Sequence, residues 1–199
     1  MPTSSRSFPT AVILSATSFC LGAIFVNWTY DHKTLWTHNP SDESITLSRQ
    51  HYAQIATEPA VIRNAFHIVI GLCLAGFVAK LYKPSEANKL FDGGSLVLFM
   101  AGIIIYLTNV RTGLGSVLSG DWGDVDELTG INVIAASQVI IAFTLLGVLG
   151  LQFGQYWAEI QDEEENARFE QERRELKERR KQQKHNKEEA EAEDSKKEK

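Results

Sequence analysis

The chain has 199 residues, a formal net charge of −5 and a mean hydropathy of −0.15, averages that fit a soluble protein but merge two materials. Residues 158–199 hold 12 of the 20 Lys and Arg and 15 of the 25 Asp and Glu, leaving 18 charged side chains for residues 1–157. A body so poor in charge excludes a water-soluble bundle, which needs polar faces at helical spacing. Both cysteines fall inside apolar runs, so no disulfide framework is indicated.

Run one, residues 8–28, has no charge and meets the about 20 apolar residues that a helix needs to cross a bilayer. It is too long for a signal-peptide core, and Phe25-Val26-Asn27 offers no small-residue cleavage site, so a retained first helix is expected. Trp28 and Tyr30 suit the headgroup level at its end. The sequon Asn27-Trp28-Thr29 lies too near the membrane and is expected bare; Pro40 excludes Asn39-Pro40-Ser41.

Run two, about residues 61–82, opens with Arg63, Asn64 and His67 and closes at Tyr82. Arg63 and His67 are four apart and share a helix face. Gly71, Ala75 and Ala79 keep a four-residue step that lets helix backbones approach closely. That step serves either the bundle itself or the helices of other proteins, and the sequence does not assign the face.

Run three, about residues 93–111, drives Ile103, Ile104 and Ile105 straight into Thr108, Asn109 and Arg111. Snorkelling accounts for arginines, whereas amides seek partners inside a bundle. With four spans this cluster lies at the depth of Arg63, Asn64 and His67, and a polar clasp is expected. The next gap carries Asp121, Asp124, Asp126 and Glu127 but lacks the calcium-loop pattern, so no metal is expected. Glycines flanking Trp122 point to a folded turn with the indole against membrane or bundle. Run four, residues 131–157, contains Gly147, Gly150 and Gly154 and ends in Tyr156 and Trp157.

The tail, residues 158–199, is expected to be a solvated helix to about residue 184, then disordered. Glu164–Arg168, Glu170–Arg174 and Glu175–Arg179 stand at i,i+4 in the favourable order. Loop cations set the orientation: Arg6, Lys80, Lys83, Lys89 and the tail face Lys33, Arg49, Arg63 and Arg111. The positive-inside bias puts both termini in the cytosol. There Lys196 and Lys197 match a dilysine retrieval signal for the endoplasmic reticulum.

The reading is therefore an all-α polytopic membrane protein. Residues 1–157 form a four-helix membrane domain, and residues 158–199 a charged, partly helical cytosolic tail. The scattered histidines form no H-E-x-x-H, and neither G-x-S-x-G nor a phosphate-cradling loop occurs. No catalytic residue, cofactor or nucleic-acid partner is expected. A small channel or transporter subunit, with Arg63, His67, Asn109 and Arg111 lining a pathway, is the alternative.

Four segments carry a resemblance: "ILSATSFCLGAIFVN" (13–27), "HYAQIATEPAVI" (51–62), "LTNVRTG" (107–113) and "DWGDVDELTGINVIAAS" (121–137). In this order they resemble the fungal endoplasmic-reticulum packaging chaperones for amino acid permeases, a four-span family of about this length. The resemblance covers residues 10 to about 157. It implies residence in the endoplasmic-reticulum membrane, protection of nascent permeases from aggregation, and a cytosolic tail that presents them to a vesicle coat. Carried onto this chain, its motif positions are Asn109, Thr112, Gly113, Trp122, Gly123, Gly130, Ala136 and Ser137. Asn64 and Arg111 join them as candidate contacts for client helices.

Overall fold

The computed structural model describes the backbone of residues 4–82 and 86–197 and the side chains of residues 8–82 and 89–182. All regular structure among them is helical: α1 Ser4–Leu35, α2 Asp42–Ala56, α3 Ala60–Leu81, α4 Glu86–Ile105, a π-helical turn Tyr106–Val110, α5 Arg111–Ser119 and α6 Glu127–Lys197. Four stretches are long and apolar enough to cross a membrane: Phe8–Leu35, Ala60–Leu81, Lys89–Ser119 and Glu127–Gln182. The third comprises most of α4, the π turn and α5, and it runs eight residues past Arg111. The protein is a four-span, all-α membrane protein.

The gap between the first two spans is not a loop. Ser41 caps α2, its Oγ accepting from Ser44 N at 3.2 Å, with Asp42 and Glu43 in the first turn. That arrangement satisfies an orphan amide and complements the helix dipole. Ser48 and Tyr52, one turn apart, are buried as α2 packs on α1 and α5.

Close helix approach and a seam on α6 both help to hold the first unit, Met1–Gln155. At Gly76 of α3, a Cβ would lie 3.0 Å from Ile13 Cγ1 and 3.4 Å from the Pro9 carbonyl oxygen, so the missing side chain lets α3 approach α1. On α6, eight buried residues, Ile131, Ile134, Gln138, Ile141, Leu145, Val148, Gln152 and Gln155, alternate three and four apart, and Gly130, Ala135 and Ser137 are buried beside them near its start. That 3.5-residue period gives a seam facing the other helices, broader at its N-terminal end. Three of its eight positions are glutamines, which sets where polar interactions form inside the bundle.

The small-residue steps divide between two roles. Gly147 and Gly154 sit under Leu98 and Phe91, so these two positions of α6 are used in packing, while Gly150 is exposed with no atom within 4 Å of a Cβ. Gly71, Ala75 and Ala79 of α3 are exposed, with no atom within 4 Å of a Cβ at Gly71.

The second unit is Tyr156–Lys199. Helix extends to Lys197, beyond the expected end near residue 184. The segment contains no Gly or Pro and is rich in strong helix formers. Arg174 and Glu170 pair across one turn at 3.7 Å. The side chains of Lys196 and Lys197, and residues 198 and 199, lie outside the described residues, as do Lys83 and the Arg6 side chain.

Candidate functional site

Two polar clusters and one groove stand out in the first unit. The first cluster joins three spans. Lys80 of α3 places its ammonium 2.6 Å from Asp92 Oδ1 of α4, with side chains 10% and 3% exposed. The same Nζ donates to Gln152 Oε1 at 2.8 Å and Gln155 Oε1 at 2.7 Å. Gln152 Nε2 donates to Asp92 Oδ1 and Ser95 Oγ, and Gln155 Nε2 to Asp92 Oδ2. A buried pair is tolerable when its remaining donors and acceptors are satisfied, and here two amides satisfy both partners.

The second cluster ties α1 to α2 and α6. Asn27 Nδ2 donates to Gln138 Oε1 at 2.6 Å, and His51 Nε2 donates to Asn27 Oδ1 at 2.8 Å. Tyr52 donates its phenol proton to Asp31 Oδ1 and accepts from Gln138 Nε2. The His51 ring stacks on Tyr30 at 3.9 Å. Burial holds the His51 imidazole below its ordinary value. Burial, then the Asp31 carboxylate, push the Tyr52 phenol far above its own.

Between these helices lies a groove of about 790 Å³. Its deep wall is apolar, from Phe66, Phe99, Ile103, Ile141 and Leu145; Asn27, His51, Tyr52 and Gln138 form a polar wall, and Glu58, Arg63 and Arg111 also line it. The π turn shapes this space. A π turn inserts one residue into a helix and often marks a functional site. Here it separates Tyr106 and Val110, on the groove, from Asn109, whose Nδ2 donates to Ser137 Oγ at 3.0 Å.

The motif residues now have positions. Gly113 is a close approach, since a Cβ there would meet Ile134 Cγ1 at 2.5 Å. Gly130 receives the Trp122 ring, whose Cε3 would lie 2.0 Å from a Cβ, so the indole packs against the bundle. Gly123 adopts φ +63°, a left-handed turn that favours glycine. Asp126 caps α6 by accepting from Thr129 Oγ1 at 2.6 Å and from its amide, contacts that hold this carboxyl below its ordinary value. Ser137 is buried, Ala136 half-buried, and Thr112 exposed. Of the expected clasp, His67 meets the Tyr106 hydroxyl at 3.3 Å and Arg63 and Arg111 share the groove. Asn64 is exposed, and Asn109 turns to α6. His67 and Asn109 are not among the residues that line the groove.

Sequence reasoning missed Gln138, Gln152, Gln155, Asp92 and the Asn27–His51–Tyr52 set. The glutamines carried a usable signal: three amides in an apolar run at seam spacing.

A four-span bundle with interior amides, a buried ion pair and an apolar groove is a helix-packing membrane protein; no group of three metal-ligating side chains occurs among the described residues. Residues 4–193 match the family model SHR3_chaperone, described as ER membrane protein SH3, and the chain belongs to this family of endoplasmic-reticulum membrane chaperones. It is also 24% identical over 142 residues to the secretory component protein psh3 of Schizosaccharomyces pombe, a match covering 71% of this chain and 66% of that protein. The chain thus spans just under two thirds of that relative's length. No solved structure matches it.

Proposed function

We propose that this protein is a non-enzymatic chaperone that holds amino acid permeases in the endoplasmic-reticulum membrane, prevents their aggregation and promotes their packaging into vesicles. Family membership supports the chaperone role, and the exposed Gly71–Ala75–Ala79 ridge on α3 is the observation that carries the mode of action. Helices in lipid associate through close backbone packing and interhelical hydrogen bonds rather than through hydrophobicity. An unfinished permease exposes helix faces that lack such partners. A bundle with an open small-residue ridge, flanked by the exposed Ile68, Leu72 and Val78, offers them a temporary one.

Both termini lie in the cytosol in this reading, and the charged tail contacts coat proteins. The test replaces Gly71 and Ala75 together by Leu, which fills the ridge without entering the core. The variant is expected to accumulate normally while permeases aggregate, read as a several-fold loss of detergent-soluble permease. Full permease solubility in that variant would reject the ridge as the client surface.

A further inference from the structure

We infer that the groove is a binding site for one anionic glycerophospholipid, with an acyl chain along its apolar wall and the headgroup phosphate between Arg63 and Arg111. Arg63 and Arg111 line the same cavity, and neither guanidinium lies within ion-pair distance of a carboxylate among the described residues. Glu58 is the acidic residue in the lining, so the charged mouth has an excess of one positive charge. An anion is what this mouth lacks. Arginine's planar fork suits phosphate oxygens in particular.

Apolar surroundings identify the source of that phosphate. Phe19, Val61, Ile62 and Leu118 line the groove and are 53%, 79%, 56% and 54% exposed. Phe19 lies in mid-span and meets hydrocarbon, while Val61, Ile62 and Leu118 stand at span ends, so a molecule with an apolar tail and a polar head matches the rim where a free phosphate does not. The groove holds about 790 Å³, within the about 300–1,000 Å³ of sites for a single small molecule. The π turn supports the assignment, because it brings Tyr106, Val110 and Arg111 to the same cavity.

The full-length protein, purified in mild detergent and exchanged to remove bulk lipid, tests this by native mass spectrometry. Phosphatidylserine and phosphatidylcholine of identical chains are then titrated back. One retained phospholipid is expected, with phosphatidylserine bound at least tenfold more tightly. Arg63→Gln with Arg111→Gln is expected to abolish that preference. Gly115→Leu, whose Cβ enters open space on the groove wall, is expected to displace both lipids while leaving the protein monodisperse. Equal affinity for the two lipids, or retention unaffected by Gly115→Leu, would overturn the assignment, as would cross-linking of a permease helix inside the groove. The ridge on α3 is tested separately, so either proposal can fail alone.

Discussion

Lys80 shows how residue chemistry organises the bundle. A lysine at a span end ordinarily snorkels toward water, and by count it belonged with the loop cations. Instead its ammonium is buried among Asp92, Gln152 and Gln155. Nothing local in the sequence announces this, because the carboxylate and both amides come from other helices. Removing one member of a buried pair leaves an uncompensated charge and costs about 3–5 kcal/mol, whereas replacing both by apolar groups is often neutral. Asp92→Ala is therefore expected to aggregate at markedly lower temperature in detergent, and Lys80→Met with Asp92→Leu to recover most of the loss. Fluorescence-detected size exclusion after heating reads both. Gly113 and Gly130 were both visible as motif positions, but only Ile134 and Trp122 lying over them explain why a side chain is refused.

At the scale of elements, the π turn is the decisive irregularity. The abrupt change from isoleucines to Thr108, Asn109 and Arg111 was readable as a conflict between side chain and solvent. Its resolution was not, since an inserted residue has no composition signature. Deleting Thr108 is expected to restore a regular helix without rotating its flanks, because a π turn spends one extra residue on nearly the rotation of an α turn. A disulfide between Asn109→Cys and Ser137→Cys, in a background without Cys20 and Cys73, is therefore expected to form in the parent and to persist in the deletion, and its loss there would reject the one-residue insertion. Helix α2 was legible in principle: Ser41 ahead of Asp42 and Glu43, with Pro59 beyond its end, is a start and a stop. The long gap between apolar runs drew attention to loop charge instead.

For the whole molecule, the four spans were legible because bilayer thickness fixes the length of an apolar run. The helical tail was half legible: its pairs predicted a start, but uninterrupted helix formers carry it to Lys197. Orientation rests on loop cations, with Lys80 now paired inside. Protease added to sealed microsomes is expected to remove an epitope placed after Lys199. Protection of that epitope would reverse the topology and end the proposed coat contact.

The Lys80 clamp has a consequence for biogenesis. Asp92 follows Lys80 by twelve positions, but the amides that complete the site arrive 72 and 75 positions later. Until α6 has left the ribosome, a cation and a carboxylate wait in the membrane with half their partners missing. The chaperone must itself pass through the unfinished state from which it is proposed to rescue permeases.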